Sequence, residues 1–382
     1  MRLISEIHLD VTSRCNLRCA YCYFYGEYDG PAEADPPADK LKWVMDQAAE
    51  LGCGEVTLTG GEPFLRDDIV ELAAHGDTLK TVLTNGVAFD RGVIRELDSL
   101  GDLIKEVKVS LDGFAGHDRV RGEGSSARIL RNLQVLDEES NIPYVINTMI
   151  TRYNLEDLLP LYEWIKASAC YRWAVDIPAP LGRARRNQDV FAPYDETLFG
   201  ALRRLLERFL EDGMPFRLNL MNIFHSELLA PYITGAEAEV RQEGVPDRFA
   251  WCDDEDHPCS YYLGGFSVRI NGDVAFCPSL PISFGNIYEE PLEKIVTGER
   301  YREFARLRVM DVEPCRRCRY RRLCGTGCRA DALVRTGDLR AADRTACARM
   351  LFFEREVLPL LPEQAREFIV SNFDPSGTVP EE

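Results

Sequence analysis

Short β-rich apolar runs alternate with helical stretches through the first half of the chain. Candidate strands fall at residues 4–12, 55–59, 80–84, 106–111, 144–151 and 172–177, and helical stretches at 40–51, 67–74, 91–100, 127–138 and 155–167. Strands separated by helices predict parallel pairing, because a parallel crossover needs roughly a dozen residues or more. The right-handed crossover rule curls such a series into an open α/β sheet or a partial barrel. Ligand sites in α/β sheets gather at the carboxyl ends of the strands, where the polar and glycine-rich signatures of this chain sit. Residues 194–212 predict one long amphipathic helix, and 215–244 a mixed connector. After Trp251 the texture changes to cysteine, glycine and arginine, with short strands at 265–270 and 274–276. A helix at 345–357 leads into a Pro/Gly-rich tail expected to fray. The acidic 29–39 stretch reads as a loop. The predicted organisation is an α/β domain over 1–190, a helical connector over 191–250, a cysteine-rich domain over 251–350 and a helix and tail over 351–382.

Composition narrows the class. With 45% hydrophobic residues in 382, a mainly disordered chain is excluded and one to three domains are expected. Acidic residues outnumber basic ones by 63 to 45, and a formal charge of −18 argues against wrapping nucleic acid. No early stretch has the layout of an export signal, and no segment approaches the ~20 apolar residues that span a bilayer. A soluble, cytoplasmic protein without a membrane partner is the expectation.

The 13 cysteines are not scattered. Cys15, Cys19 and Cys22 form one group, eight more lie between Cys252 and Cys347, and Cys53 and Cys170 stand apart as buried small apolar residues. In a reducing compartment such clustering points to metal ligation rather than disulfides. The first group is CxxxCxxC directly after the first strand. Three thiolates on one tight loop hold three irons of a cubane and leave the fourth open to a small chelating molecule. The alternative is buried or zinc-binding cysteines; zinc normally takes four ligands, and His8 lies within the strand. Past the second strand, Gly60-Gly61-Glu62-Pro63 places two glycines, which let a ligand approach the backbone, beside a carboxylate suited to an ammonium group. Its alternative is an ordinary strand-to-helix turn.

Together these motifs resemble the radical S-adenosylmethionine (SAM) superfamily, whose pattern is CxxxCxΦC, with Φ aromatic, followed by GGE. Tyr21 is the aromatic residue. The resemblance covers about residues 4–180 and implies a partial (β/α)6 barrel with a 4Fe–4S cluster whose open iron takes SAM. One-electron reduction then yields methionine and a 5′-deoxyadenosyl radical that abstracts hydrogen from the substrate. It implies that Tyr21 lies against the adenine and that Gly60, Gly61 and Glu62 bind the methionine amine. Ser110 and Asp112 are candidates for ribose or carboxylate contacts, Arg121 for the SAM carboxylate, and the Thr84-Asn85-Gly86 turn for the same pocket. For each, a turn or capping role is the alternative.

The later cysteines read Cys259-x12-Gly272-x4-Cys277, then Cys315-x2-Cys318-x5-Cys324-x3-Cys328, then Cys347. This looks like the SPASM extension of peptide- and protein-modifying radical SAM enzymes. The resemblance implies two auxiliary clusters, three clusters in all. Cys315, Cys318, Cys324 and Cys347 would hold one, and Cys259, Cys277 and Cys328, with Cys252 as fourth, the other. Two structural zinc sites are the alternative. Arg316, Arg317, Arg319, Arg321 and Arg322 interleave the ligands, with three readings open: stabilising a reduced cluster, a solvated patch, or docking of an acidic partner.

SPASM relatives imply oxidative modification or cross-linking of a ribosomally made peptide, with a flavodoxin or ferredoxin-type reductant. The cluster loop begins at Cys15, so a separate leader-recognition protein or a small-molecule substrate is expected. An oxidative enzyme acting on a small molecule or porphyrin is one alternative, and an iron–sulfur electron-transfer protein that never turns over SAM is another. By position, Asp176, Arg183 and Tyr23 or Tyr25 are the candidate catalytic residues.

Overall fold

The computed structural model describes residues 4–24, 35–220, 223–226, 254–259 and 264–380. Cys252, Tyr25, most of the 215–244 stretch and part of the acidic loop lie outside the described residues. The chain divides into two compact units. One comprises residues 1–173, 177–191 and 264–302, the other 174–176, 192–263 and 303–382. Among the described residues no helix is long and apolar enough to cross a membrane.

In chain order the elements are β1 (Glu6–Thr12), α1 (Ala38–Glu50), β2 (Glu55–Gly60), α2 (Ile69–Ala73), β3 (Leu79–Thr84), α3 (Arg91–Asp98), β4 (Ile104–Ser110), α4 (Ala115–Arg121), α5 (Ser125–Glu139), β5 (Tyr144–Met149), α6 (Leu158–Lys166) and β6 (Arg172–Asp176). There follow α7 (Gly182–Arg186), α8 (Glu196–Glu211), an antiparallel pair β7 (Arg217–Leu220) and β8 (Phe224–His225), then β9 (Gly265–Val268), β10 (Asp273–Ala275) and β11 (Gly285–Asn286).

Within the first unit β1 to β5 pair in parallel, each with the next. Every second residue of these strands forms one apolar face: Ile7, Leu9, Val56, Leu58, Val82, Val107 and Val109 are fully buried, whereas the alternate positions carry polar side chains such as His8, Thr57, Thr81, Glu106 and Lys108. On α1, Leu41, Val44, Met45 and Ala48 recur at helical spacing and are buried. Beyond β1 the sheet gains β9 in parallel, with Glu6 opposite Gly265, and then β10 and β11 antiparallel.

Two local departures from the sequence reading have clear causes. β5 stops at Met149 because buried Asn154 takes up the chain: it accepts from Thr151 N at 2.7 Å and donates to Met149 O and Asp112 O at 3.0 and 2.6 Å. The helix α4 was not foreseen. The Asp157 carboxylate nucleates it by accepting from Phe114 N and Gly116 N, both at 2.9 Å.

The second unit holds α8, capped by Asp195 and buried through Leu198, Leu202, Leu205, Leu206 and Phe209. The first unit also holds α9 (Leu292–Val296), α10 (Glu299–Ala305) crosses the division, and the later helices of the second unit are α11 (Arg321–Cys324), α12 (Arg329–Thr336), α13 (Arg344–Phe352) and α14 (Glu363–Ser371). The tail expected to fray is instead tied down. Thr378 N donates to Arg317 O at 2.6 Å and Arg319 N to Thr378 O at 3.0 Å. These backbone bonds, with buried Phe373, offset the cost of ordering a Pro/Gly-rich segment.

Leu58 lies at the centre of this sheet. Leu58→Ala is expected to lower unfolding stability by ~2–5 kcal/mol, read from the denaturant midpoint of the reconstituted protein.

Candidate functional site

The carboxyl ends of β1 to β5 converge on one region of the first unit. After β1 the chain turns into the Cys15–Cys22 loop. Ala20 N donates to Val120 O at 2.8 Å, and Arg183 N, at the start of α7, donates to Cys22 O at 2.9 Å. Cys15 Sγ accepts from Leu17 N at 3.4 Å and from Asn85 Nδ2 at 3.7 Å. Asn85 Nδ2 also binds Asn16 Oδ1 at 2.7 Å, so the turn after β3 grips the loop. Burial pushes the Cys19 thiol up to about 11 and raises that of Cys15. Thiols held this way favour ionisation only when a cation accepts them.

The Gly60-Gly61 step has a geometric cause. Gly61 N donates to Thr12 O and Glu62 N to Arg14 O, both at 2.7 Å. A Cβ on Gly61 would lie 2.1 Å from Arg14 O, and one on Gly60, whose φ is +120°, 2.5 Å from Thr12 O. The glycines therefore let the cysteine loop, rather than a ligand, approach the end of β2. Glu62 is fully buried just beyond. Its carboxylate accepts from Thr84 Oγ1 at 2.7 Å, Asn85 N at 2.7 Å and Phe64 N at 3.2 Å. Burial still dominates and raises its pKa to about 7.

Asp112, Arg121 and Tyr21 meet in one buried cluster. Arg121 clasps Asp112 through Nε at 2.7 Å and Nη2 at 3.1 Å, Met149 N donates at 2.9 Å, and the Tyr21 hydroxyl donates to the same carboxylate. Burial opposes ionisation of Asp112, but the Arg121 guanidinium, with smaller help from His117 and the Tyr21 hydroxyl, holds the carboxyl below its ordinary range. Asp112 and Arg121 are thus committed to each other, and Arg121 also lies over the Tyr21 ring at 5.3 Å. The Tyr21 ring packs with Val120, Ala184 and Val190. Ser110 is half-buried at the end of β4, opposite Asn147. His117, on α4, accepts from Asp112 N at 3.0 Å through Nδ1, which leaves its proton on Nε2 facing Ser125 Oγ at 3.1 Å. Tyr23 and Arg183 belong to the first unit and Asp176 to the second.

No disulfide joins the described cysteines. Cys53 and Cys170 are buried, each donating its thiol to a backbone carbonyl at 3.1 Å. Among the later cysteines, Cys277 falls in the first unit, whereas Cys259, Cys315, Cys318, Cys324, Cys328 and Cys347 fall in the second. Cys315, Cys318, Cys324 and Cys347 line a single cavity, partly open to solvent, together with Tyr320, Arg321, Thr326, Asp343, Met350 and Pro380. Burial, followed by repulsion from the neighbouring thiol of Cys347, pushes Cys315 up to about 12. The arginines interleaved with these ligands are largely neutralised: Arg316 by Glu313 at 2.6 Å, Arg319 by Glu354 at 3.0 Å, and Arg321 by Asp254 at 2.7 Å and by Asp374.

Residues 9–165 match the radical SAM superfamily, and residues 259–319 match SPASM, an iron–sulfur cluster-binding domain. An AdoMet-dependent heme synthase of Methanosarcina barkeri is 30% identical over 345 residues, covering 86% of this chain and 92% of the relative. The chain belongs to the radical SAM superfamily. A PqqA peptide cyclase of Xanthomonas oryzae pv. oryzae is 27% identical over 353 residues, covering 88% of this chain and 86% of that protein. The solved structure of native anSMEcpe with bound AdoMet and Cp18Cys peptide has a TM-score of 0.67 at 17% identity, covering 95% of this chain and 99% of the other. That likeness shows the fold, a radical SAM α/β domain with a C-terminal SPASM domain.

As a radical SAM enzyme the protein is expected to take iron–sulfur clusters and SAM, and its donor sets suit them. Three thiols share one loop, and a further four surround a cavity. Among the described residues no three His, Cys, Asp or Glu side chains meet closely enough to hold one metal ion. Three residues of this second site escaped the sequence reading. Asp343 caps α13 and accepts from Cys328 N at 3.0 Å; Arg329 is buried, directly after Cys328; and Thr326 lines the cavity. The aspartate four residues before Cys347 was the available signal for the first.

The Arg121–Asp112 pair generates a stability prediction. Arg121→Met leaves a buried carboxylate without its cation and is expected to cost ~3–5 kcal/mol. The double variant with Asp112→Asn should lose less than that single variant, measured by the same denaturant titration.

Proposed function

We propose that this radical SAM/SPASM enzyme removes hydrogen from a ribosomally made peptide and thereby oxidises or cross-links it. The observation that carries the radical SAM reading is a buried carboxylate tied through one residue to the loop that carries three thiols. Asn85 binds Glu62 through its backbone N–H and Cys15 through its side chain, so the two ligand-binding ends are registered by one residue. When bound, the cluster and SAM supply a one-electron reductive cleavage that yields a hydrogen-abstracting alkyl radical.

The residues around them bind, orient and exclude water. Cys15, Cys19 and Cys22 hold the first cluster, with Gly60 and Gly61 shaping the wall beside it. Glu62 takes the methionine ammonium, and Ser110 and Tyr21 border the nucleoside. The Asp112–Arg121 pair acts chiefly by holding Tyr21 and the cluster loop in place. Tyr23, Arg183 and Asp176 remain the candidates for proton handling at the substrate. Cys315, Cys318, Cys324 and Cys347 hold one auxiliary cluster, and Cys252, Cys259, Cys277 and Cys328 the other, which gives three clusters with the first. The lack of a disulfide among the described cysteines suits a cytoplasmic setting with a flavodoxin or ferredoxin-type reductant.

A peptide substrate draws support from two sides, a peptide cyclase among the sequence relatives and a peptide-bound structure among the fold neighbours. The heme synthase at 30% identity favours a second reading, a porphyrin-type small molecule. Anaerobic turnover with SAM and reductant tests both. The expected result is 5′-deoxyadenosine together with a loss of hydrogen mass from a genomically neighbouring peptide. A mass change in an iron porphyrin and in no peptide would install the second reading. No 5′-deoxyadenosine at all would favour an electron-transfer protein.

Glu62 also sets a pH dependence. Its folded pKa, about 7, lies above the ordinary 4.5. The neutral acid therefore stabilises the empty fold below pH ~4.5, and that contribution fades as pH rises through ~7. An ammonium ligand favours the ionised form. SAM affinity should consequently strengthen between roughly pH 6 and 8. Glu62→Gln should weaken binding at least about tenfold and flatten the profile, followed by the SAM-induced change in the cluster EPR signal.

A further inference from the structure

In the second unit, Cys324 and Cys328 are joined by Gly325-Thr326-Gly327. All three intervening residues adopt left-handed backbone, with φ of +58°, +70° and +77°. For glycine this is ordinary; for β-branched threonine it is a steric outlier that persists only where neighbouring contacts impose it. Those contacts are present. The buried Arg329 guanidinium donates to Thr326 O, and its other terminal nitrogen donates to Leu339 O and Ala341 O, both at 2.7 Å. Just after the turn, Cys328 N is held by the Asp343 carboxylate at 3.0 Å.

The clamped turn places Thr326 in the wall of the cavity that Cys315, Cys318, Cys324 and Cys347 line. Thr326 is 2% exposed, and its hydroxyl has no hydrogen-bond partner among the described residues. Buried hydroxyls in folded proteins are ordinarily satisfied. Here a strained backbone brings a residue with an unsatisfied O–H into the wall of a cavity lined by four cysteines. The acceptor chemistry that such a wall implies is anionic sulfur.

We propose that the Thr326 hydroxyl donates a hydrogen bond to a sulfur of the iron–sulfur cluster bound by Cys315, Cys318, Cys324 and Cys347, raising the reduction potential of that cluster. The proposal rests on the reading that these four cysteines hold a cluster. A donor on sulfur withdraws electron density and stabilises the added electron, one of the recognised controls on cluster potential. The buried Arg329 acts in the same direction. Among the described residues, all its hydrogen bonds go to carbonyl oxygens and none to a carboxylate.

The test uses the full-length protein, reconstituted anaerobically, as wild type, T326V and T326S. Iron and sulfide are counted, and each cluster is titrated by EPR with and without SAM, which marks the SAM-binding cluster. T326V keeps the β-branched shape without the hydroxyl and is expected to lower the midpoint of one SAM-insensitive cluster. The equilibrium shift should be about tenfold, or ~59 mV for one electron. T326S, which keeps the donor, should match the wild type. An unchanged midpoint in fully loaded T326V, or an equal fall in T326S, overturns the proposal. Should T326V load less iron, T326G, which suits the left-handed turn and also lacks the hydroxyl, replaces it with the same expected and overturning results. Wild-type protein holding no SAM-insensitive cluster overturns the cluster reading itself, a result distinct from an unshifted midpoint.

Discussion

The first unit depends on one close contact, the meeting of the β2 carboxyl end with the backbone of the cysteine loop. Two hydrogen bonds, Gly61 N to Thr12 O and Glu62 N to Arg14 O, set the distance, and no side chain larger than hydrogen fits between them. Because the loop is fixed against the sheet, the thiols and the Glu62 carboxylate share one rigid frame. Ligand groups held on strand ends keep their geometry better than groups on free loops.

A second layer of buried polar groups supports that frame. Asp112 gathers Arg121, Tyr21 and the N–H of Met149, and its own N–H is taken by His117. These groups arise from β4, α4, the cysteine loop and the end of β5. In a low-dielectric interior a satisfied network of this kind makes the orientation of each member dependent on the others. Tyr21 therefore serves the site partly as a tether for the loop that carries its neighbouring cysteines.

Much of this was legible in advance, for identifiable reasons. The apolar runs of β1 to β5 and the intervening helices declare the parallel sheet, and the spacing of Cys15, Cys19 and Cys22 declares the loop. What escaped prediction depends on partners distant in sequence. Helix α4 forms where Asp157 captures two amides some forty residues upstream. The commitment of Arg121 to Asp112, where a ligand carboxylate was expected, arises from the turn between β4 and α4. Arg329 was overlooked beside five more conspicuous arginines. Of those five, Arg316, Arg319 and Arg321 face carboxylates, whereas Arg329 is buried among carbonyl oxygens. Charge density along a sequence does not reveal which charges are compensated in space.

The pairing of β1 with β9 has a temporal implication. Glu6 emerges from the ribosome early, whereas Gly265, its partner across the sheet, is polymerised some 260 residues later. At ~5–20 residues per second, the outer rim of β1 waits roughly 13–50 s for its neighbour. During that interval the nascent polypeptide presents a naked template for mispairing, and the cysteine loop continuing from that strand is seated on an unfinished support. Metal loading on such a schedule favours delivery after translation has passed β9.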